Sequence, residues 1–362
     1  MVKKSITLCI LGCCLILFDA NCQIQQWRQG IITDEFIFDK VRFPESHAST
    51  IVETPKGLVA AWFGGTKERN PDVEIWVSRR VLGRWTPPVS VANGIQNDTL
   101  RFPTWNPVLY QVPGGDLLLF YKVGPKPSDW AGWMKTSKDA GLTWSAAKAL
   151  PPGFIGPVKN KPVMVDGKLL SPSSKEGDGW KVHFEESLDS GKTWRMIGPI
   201  NDSKTIYAIQ PIILLHHNHK LQILARSRSR AIVESWSSDN GQTWSPLAKT
   251  SLPNNNSGTD AVTLKDGRQL LVYNHVLPPD TDDKGPRTPL NVSISKDGVT
   301  WYAALVLEDS PISQYLYSSV IQSKDGMVRI VYTWRREKIK YVKVDPSKLV
   351  LTRIRDYNWP DR

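Results

Sequence analysis

Aspartates in a repeated phrase are the first residues of this chain whose type and spacing could do chemistry. The phrase Ser-x-Asp-x-Gly-x-Thr-Trp occurs at 137–144, 187–194 and 237–244, once every fifty residues. A shorter copy occupies 295–301, and a copy at 78–85 has lost the aspartate. A carboxylate at the same position of the other four copies could bind a metal ion or act as a catalytic acid.

The other residues of the phrase favour a structural role for its aspartate. A short acidic side chain accepts hydrogen bonds from the backbone amides that follow it, and glycine tolerates a positive φ. A β-branched threonine followed by tryptophan is typical of the start of a strand. We therefore interpret Asp139, Asp189 and Asp239 as residues of hairpin turns with an aromatic anchor, not as ligands or acids.

A second pattern, in which a turn separates two apolar strands, recurs six times between these phrases. Its copies begin at Ile51, Val108, Val163, Ile212, Ala261 and Val320. Near-continuous apolar runs bounded by Asp-Gly or Pro-Gly turns are typical of strands buried on both faces. A fixed repeat of this length indicates a solenoid, propeller or array, and six units predict an all-β, six-bladed β-propeller. A strand near 36–38 is expected to close the ring by joining the sixth unit.

The first 22 residues differ from the rest of the chain. Lysines precede an apolar run at 6–18, and small residues follow it before Gln23. This order is typical of a secretory signal peptide, and the run is too short to span a bilayer. We predict a signal peptide at 1–22, one propeller domain at 23–362, and export to the periplasm or the outside of the cell.

All four cysteines lie in the predicted signal peptide, at positions 9, 13, 14 and 22. The mature chain is therefore expected to have no disulfide and no thiol nucleophile. Acylation of Cys22 or Cys13, as in a lipoprotein, is the alternative to simple cleavage. The six histidines show no ligand spacing of the zinc kind, so neither a metal nor a cofactor is predicted.

The chain is basic, with a formal net charge of +11. This balance suits anionic partners such as acidic polysaccharides, although solubility alone would also explain it. No basic run is interleaved with aromatic residues, so a nucleic acid is not a predicted partner. The oligomeric state stays open.

Over about residues 40–345, the chain resembles the sialidases (neuraminidases). The resemblance is carried by the aspartate phrases, the six units and the segment Tyr-Leu-Tyr-Ser-Ser-Val at 315–320. It implies a six-bladed propeller that holds an acidic sugar at its central mouth. It also implies three arginines that bind the sugar carboxylate, an aspartate acid/base and a tyrosine nucleophile paired with a glutamate, as in a glycoside hydrolase of the exo-α-sialidase type.

The resemblance places the nucleophile at Tyr317 and the acid/base at Asp72, with Glu68 as a plausible substitute. A neutral tyrosine avoids the repulsion that an acidic nucleophile would meet from a sugar carboxylate. The resemblance places carboxylate-binding arginines at Arg226 and Arg287, because planar guanidinium groups bind carboxylates bidentately.

Polar residues at the starts of other inner strands are expected to line the same mouth. They are Asn106, Lys161 and Asp260, and Glu176 is a further candidate acid.

Two positions depart from the family pattern. His47 stands where the family has the arginine of an Arg-Ile-Pro phrase, and Gln210 stands where a glutamate is expected. A glutamine cannot take the proton of Tyr317, whereas His47 could. We expect the anion-binding side to be kept while the specificity shifts from sialic acid toward a uronic acid, another keto acid sugar, or rhamnose linked to glucuronate.

Two other functions fit the same residues. A polysaccharide lyase acting on uronic acid glycans needs a carboxylate neutraliser, a base and an acid. Arg226 or Arg287, His47 and Tyr317 could fill these roles without any nucleophile. A non-catalytic carbohydrate-binding propeller would use the same pocket without turnover.

Overall fold

The computed structural model describes residues 27–312 and 314–360. They form six antiparallel sheets that succeed one another along the chain as the blades of a β-propeller, which confirms the predicted all-β fold. Within these residues no helix is long and apolar enough to cross a membrane. The predicted signal peptide at 1–22 lies outside the described residues.

The described chain begins with β1 (Ile31–Phe36), which belongs to the last blade, and then builds the first three blades in order. Blade 1 consists of β2 (Glu45–Thr54), β3 (Gly57–Gly65), β4 (Glu74–Val81), β5 (Arg84–Trp85) and β6 (Val89–Ala92). Blade 2 consists of β7 (Thr104–Gln111), β8 (Leu117–Val123), β9 (Ala131–Ser137) and β10 (Lys148–Ala149). Blade 3 consists of β11 (Val163–Val165), β12 (Lys168–Lys175), β13 (Lys181–Ser187) and β14 (Arg195–Ile197).

The last three blades follow the same plan. Blade 4 consists of β15 (Ala208–Leu215), β16 (Leu221–Ser227), β17 (Ala231–Ser237) and β18 (Ala248–Pro253). Blade 5 consists of β19 (Asp260–Thr263), β20 (Gln269–Tyr273), β21 (Leu290–Ser295), β22 (Trp301–Glu308) and the late strand β26 (Thr352–Arg353). Blade 6 consists of β23 (Tyr315–Gln322), β24 (Val328–Trp334), β25 (Lys338–Val344) and β1. Two 3-10 turns, Pro127–Asp129 and His217–His219, are the helical elements of the described residues.

The ring closes where β1 pairs antiparallel with β25, as the outermost strand of blade 6. A strand from the N-terminal side was predicted at 36–38, but it ends at Phe36. The backbone N–H of Ile37 still bonds to the carbonyl oxygen of Ile339, and Phe38 then stacks on Trp62 of blade 1, with ring centroids 5.1 Å apart. The chain therefore joins the last blade and then packs against the first.

The aspartate phrases are turns between the third and fourth strands of their blades. In the first complete copy, Oδ1 of Asp139 accepts hydrogen bonds from the backbone N–H groups of Leu142 and Thr143, at 3.1 and 2.8 Å. Its Oδ2 accepts one from Oγ1 of Thr143 at 2.6 Å. Equivalent bonds lower the pKa of Asp239 to about 2. The structure thus places these carboxylates in turns, as their phrase predicts.

The phrases also join neighbouring blades. Trp244 of blade 4 stacks on Phe184 of blade 3, with ring centroids 4.5 Å apart. Trp194 of blade 3 packs edge-on against Phe120 of blade 2 at 6.0 Å. Each such contact buries aromatic surface between blades, and aromatic pairs contribute roughly 0.5–1.5 kcal/mol beyond that burial. The repeat therefore fixes the relative position of the blades that carry the candidate site.

Candidate active site

A β-bulge interrupts the innermost strand of four blades close to its start. The bulges lie in β2, β7, β15 and β23. Each contains a residue with positive φ, namely Ala48 (54°), Asn106 (36°), Gln210 (57°) and Tyr317 (52°). This conformation is rare for residues other than glycine, and such bulges redirect side chains next to active sites. The fold repeats one backbone irregularity to aim side chains at one end of the channel.

Tyr317 stands at the centre of the candidate site. Its phenol oxygen accepts hydrogen bonds from Nε2 of Gln210 at 3.1 Å and from Nη1 of Arg226 at 3.0 Å. The ring centroid of His47 lies 4.4 Å from that of Tyr317, and Nζ of Lys159 lies 5.7 Å from the tyrosine ring. Donors and positive charges therefore surround the tyrosine, an arrangement that stabilises negative charge on its oxygen.

Two of the predicted arginines approach Tyr317 from different blades. Arg226 near the end of β16 donates from Nε to Oδ1 of Asn256 at 2.8 Å, and its guanidinium lies 5.2 Å from the ring of Trp180. Arg287 lies before β21, and burial lowers its pKa, with the charge of Arg226 acting in the same direction. The structure thus brings together the tyrosine and both predicted carboxylate-binding residues.

His47 is buried beside Tyr317 and forms a hydrogen bond between its Nδ1 and Oγ1 of Thr333 at 3.0 Å. Burial lowers the pKa of His47 well below its ordinary value. Neighbouring positive charges lower it further, and they belong to Arg336, Arg287, Lys159 and Arg226. The imidazole is therefore neutral at neutral pH, and adding a proton to it is unfavourable.

This neutral histidine predicts a loss of stability in acid. The unfolded chain takes up a proton at His47 near pH 6.5, while the folded protein does not, so folding stability falls as the pH drops below that value. The slope from one such group is at most about 1.4 kcal/mol per pH unit. Thermal unfolding between neutral and mildly acidic pH should show a shallower slope for His47→Gln than for wild type. The exposed His219→Gln should keep the wild-type slope, and an unchanged slope in His47→Gln would contradict the assignment.

Arg336 is a further charged residue of the site that the sequence analysis did not identify. It lies in the turn between β24 and β25, and its Nη1 pairs with Oε2 of Glu68 at 2.5 Å. Its charge acts on both His47 and Arg287. The only sequence signal is the pair Arg335 and Arg336 in a turn beside the last inner strands, and nothing there indicates contact with blade 1.

Three candidate carboxyl groups lie around the mouth in different environments. Asp72 is exposed, and its two oxygens accept hydrogen bonds from the backbone N–H and Oγ1 of Thr66, at 2.8 and 2.9 Å. Glu68 is half-buried in its ion pair with Arg336. Glu176 is also half-buried, and burial raises its pKa although nearby arginines oppose the shift. Asp72 therefore stabilises its own loop, whereas Glu68 and Glu176 lie close to arginine side chains.

Lys161 and Asp260 lie next to the residues that follow Tyr317 along β23. Nζ of Lys161 donates to Oγ of Ser319 at 2.5 Å and lies 3.9 Å from Oδ2 of Asp260. The same Oδ2 accepts a hydrogen bond from the backbone N–H of Val320 at 2.8 Å. Both residues hold the inner strand of blade 6 in place, and their expected contact with a substrate stays a prediction.

Lys159 is a second site residue that the sequence analysis missed. Its Nζ donates to the carbonyl oxygens of Thr259 and Ser318, both at 2.8 Å, and burial lowers its pKa to about 8. The predicted Asn106 is also buried, and its carbonyl oxygen accepts a hydrogen bond from Lys122 at 3.3 Å. Both lysines are therefore buried and bind backbone carbonyl oxygens.

A cavity of about 510 Å³ lies beside the site, between blades 2 and 3. Its wall includes Trp130, Phe154, Pro199 and His183, together with Glu176. The volume is typical of small-molecule sites, and an aromatic wall with a few polar groups suits a sugar ring. Glu176 lines this cavity and is also close enough to Arg226 for that charge to act on its pKa, so it links the cavity to the surroundings of the candidate site.

No group of three or more His, Cys, Asp or Glu side chains in 27–312 and 314–360 is arranged to hold a metal ion. The arrangement offers instead a tyrosine oxygen, several guanidinium groups and carboxyl groups in contrasting environments. These groups can bind an anion and transfer protons to and from it.

Comparison with known proteins agrees with this architecture. The family described as BNR repeat-like domain matches residues 56–330. The chain therefore belongs to the BNR repeat-like family, and its six-bladed fold is that of the sialidases. No curated protein matches the sequence.

Three solved structures illustrate the likeness in fold. A protein of unknown function from Dyadobacter fermentans superposes with a TM-score of 0.71 at 16% identity, covering 87% of this chain and 98% of that one. The NanB sialidase of Streptococcus pneumoniae gives 0.67 at 13% identity, covering 87% and 71%. The intramolecular trans-sialidase of Ruminococcus gnavus, in complex with oseltamivir carboxylate, gives 0.64 at 14% identity, covering 87% and 97%.

Proposed function

We propose that the protein is an exported glycoside hydrolase that removes a terminal acidic sugar from a glycan, with Tyr317 as its nucleophile. The observation that carries this proposal is the phenol oxygen of Tyr317, which receives hydrogen bonds from Arg226 and Gln210. Arg226 and Arg287 bind the carboxylate of the sugar. The fold shared with sialidases, including a trans-sialidase solved in complex with oseltamivir carboxylate, supports the same class of substrate.

The proposed reaction has two steps. The phenol oxygen of Tyr317 bonds to the anomeric carbon while the bond from that carbon to the leaving oxygen breaks. The leaving oxygen takes a proton from a carboxylic acid, and the phenol proton passes to solvent because Gln210 cannot accept it. Water then attacks the anomeric carbon and gives a proton to the same carboxylate, while Tyr317 leaves as phenolate and recovers its proton from solvent.

Gln210 acts in this scheme as a hydrogen-bond donor and not as a base. Its amide donates to the phenol oxygen, and its Oε1 lies 3.5 Å from Nη1 of Arg226. The negative charge that develops on the oxygen of Tyr317 is therefore stabilised by a guanidinium and an amide N–H. His47 packs against the ring and stays neutral, which keeps another positive charge out of a crowded cationic site.

Glu176 is the better placed of the candidate acids for protonating the leaving group. An acid that works near neutral pH needs a raised pKa, and burial raises the pKa of Glu176. It also lines the cavity that would hold the leaving group. The oxygens of Asp72 are engaged by Thr66, so the role predicted for Asp72 requires its loop to rearrange when substrate binds.

Glu176→Gln is expected to lower turnover of natural glycosides by about 10²–10⁴-fold and to remove the fall in rate on the alkaline side of the pH profile. The profile changes because the wild-type rate falls as Glu176 loses its proton. A fluorogenic phenol leaving group needs less protonation, so its hydrolysis should suffer less. The comparison with Asp72→Asn identifies the acid, because a flattened profile in Asp72→Asn alone would assign the role to Asp72.

A uronate lyase is the second candidate, favoured by the neutral imidazole of His47 beside Tyr317. In that reaction His47 takes the proton next to the carboxylate, a carbon–carbon double bond forms, and the bond to the leaving oxygen breaks as Tyr317 protonates it. Arg226 neutralises the carboxylate. The lowered pKa makes His47 a weak base, and the hydrolase therefore stands first.

The test is to incubate the purified protein with a fluorogenic α-sialoside and with a panel of oligosaccharides that contain uronic acids. Released sugar and ultraviolet absorbance are followed together. Release of an acidic sugar without new absorbance supports the hydrolase, and the sugar released names its specificity. New absorbance from a uronate substrate would establish the lyase. Binding without turnover across the whole panel would leave a carbohydrate-binding propeller.

A further inference from the structure

Lys159 is a buried residue that connects three parts of the propeller ring. It lies just before blade 3 and is 6% exposed. Its Nζ donates to the carbonyl oxygens of Thr259, just before β19, and of Ser318 in β23, both at 2.8 Å. A third hydrogen bond goes to Oδ1 of Asn160 at 2.9 Å. These three acceptors match the three N–H donors of an ammonium group, and a neutral amine would leave one of them without a donor.

The charge of Lys159 is not neutralised by an ion pair. Among the residues that the structure describes, no carboxylate pairs with it, and Asp260, whose charge favours the ammonium form, lies 3.9 Å from Lys161 instead. Burial lowers the pKa of Lys159 to about 8, so the side chain still carries its charge at neutral pH. A buried cation without an ion pair is costly to a fold, which favours a functional role.

The ammonium group of Lys159 lies over the ring of Tyr317. Its Nζ is 5.7 Å from the ring centroid, and its partner Ser318 is the next residue along β23. The side chains of Lys159, Gln210 and Tyr317 converge at Gly258. A Cβ added to Gly258 would lie 3.0 Å from Cε of Lys159 and from Oε1 of Gln210, and 3.2 Å from Cδ2 of Tyr317. A residue without a side chain therefore lets the lysine, the amide and the phenol ring pack together.

This geometry acts on Tyr317 in two ways. The bond to the carbonyl oxygen of Ser318 holds the backbone beside Tyr317, whose φ of 52° belongs to the bulge that aims its side chain. An ammonium group within about 6 Å of an aromatic ring centroid is also attracted to the ring. That attraction grows as negative charge develops on the phenol oxygen, because the charge spreads into the ring. The positive charge matters here because Gln210 cannot act as a base.

We propose that Lys159 is a positioning residue for Tyr317 that compensates for the missing base at Gln210. Its fixed ammonium group holds the bulge of β23 and stabilises the negative charge of the attacking phenol oxygen, while the phenol proton passes to solvent. All three of its donors are used within the protein, so Lys159 acts through the tyrosine and not on the sugar. This inference rests on the proposed function, because it takes Tyr317 as the nucleophile.

The test compares Lys159→Met and Lys159→Gln with Lys122→Met. Methionine fills the space of the lysine without donors or charge, whereas glutamine keeps N–H donors for the carbonyl oxygens and loses only the charge. Lys122 is the matched control, because it is also buried and also donates to backbone carbonyl oxygens, those of Asn106 and Pro157. At neutral pH, both Lys159 variants should lose about tenfold or more in kcat and keep KM close to that of wild type. Lys122→Met should keep both constants.

A second measurement needs no glycoside. N-acetylimidazole transfers its acetyl group to nucleophilic phenol oxygens, and mass spectrometry of peptides locates the acetyl group. Acetylation of Tyr317 should be slower in both Lys159 variants than in wild type, because its oxygen loses the positive charge that stabilises it. Lys122→Met should be acetylated at Tyr317 at the wild-type rate.

Wild-type kcat in Lys159→Gln would reduce Lys159 to a structural residue and overturn the proposal. Equal losses in Lys122→Met, or acetylation of Tyr317 that does not depend on Lys159, would also overturn it. Wild-type protein that cleaves no glycoside, but whose acetylation at Tyr317 depends on Lys159, would remove the hydrolase and leave the effect of Lys159 on the tyrosine standing. Thermal unfolding identifies the folded variants, and Lys159→Gln carries the test if Lys159→Met does not fold.

Discussion

Replacement of Tyr317 by phenylalanine is expected to abolish turnover while the protein stays folded. The change removes one oxygen, which is the atom that receives hydrogen bonds from Gln210 and Arg226. Without it no bond to the anomeric carbon can form, and the remaining groups can only bind and polarise the substrate. Loss of a nucleophile costs enzymes several orders of magnitude, so we expect kcat to fall roughly 10³-fold or more. Initial rates with the glycoside that the wild type cleaves provide the measurement.

Tyr315→Phe is the matched control for this change. Tyr315 lies two residues earlier in β23 and is 1% exposed in the apolar core of blades 5 and 6. Tyr315→Phe should retain turnover if the oxygen of Tyr317 is needed for the reaction and not for the stability of β23. Wild-type rates in Tyr317→Phe would rule out a covalent mechanism at this residue. Tight binding of an acidic sugar by an inactive Tyr317→Phe would separate recognition from catalysis.

The fold was predictable because each complete copy of its repeat contains the same residue types at the same positions. Each complete phrase combines a serine, an aspartate, a glycine and a tryptophan that satisfy one turn and one contact between blades, as at Asp139 and Trp244. The apolar runs have the length and turn signals of buried strands, so the number of blades follows from counting units. The closing strand was predicted a few residues too late, since Phe38 has the same apolar character as a strand residue but packs on Trp62.

The site was predictable only where a residue type carries its own chemistry. Tyr317, Arg226 and Arg287 were predicted from the sialidase resemblance, and the structure gathers them at one place. The bulges that aim the side chains were not predictable, because an extra residue in a strand leaves no distinct signal in composition. Gln210 was identified from the resemblance, but nothing in the sequence indicates its φ of 57°.

Long-range contacts across the ring explain the residues that the sequence analysis missed. Glu68 and Arg336 are 268 positions apart, yet they pair because the last blade closes against the first. Lys159 reaches Ser318 of blade 6 from the segment before β11, 159 positions away. Such pairings depend on the closure of the propeller as a whole, and local sequence patterns do not indicate them.

Substitution of Arg226 by methionine is expected to have the second largest effect. Arg226 donates directly to the phenol oxygen of Tyr317 at 3.0 Å, and Asn256 and Trp180 hold it there. The variant loses a charge-assisted bond to the nucleophile and the proposed bidentate bond to the carboxylate. At roughly 1.5–3 kcal/mol for each such bond, kcat/KM should fall about 10²- to 10⁴-fold. Steady-state kinetics on the cleaved glycoside measure the loss.

Arg228→Met is the control for this second change. Arg228 places its guanidinium 4.4 Å from the ring of the same Trp180, but it lies 3.6 Å from Asp283 and is half exposed. A loss confined to Arg226→Met would assign the effect to the contacts of Arg226 and not to the local positive charge, whereas equal losses would contradict that assignment.

The separate effects of Arg226→Met on kcat and on KM carry further information. A residue that touches both the nucleophile and the carboxylate should change kcat and KM together, whereas a residue that only anchors the sugar should raise KM alone. If Arg226→Met left kcat unchanged, the hydrogen bond to Tyr317 would orient the ring without contributing to the chemical step.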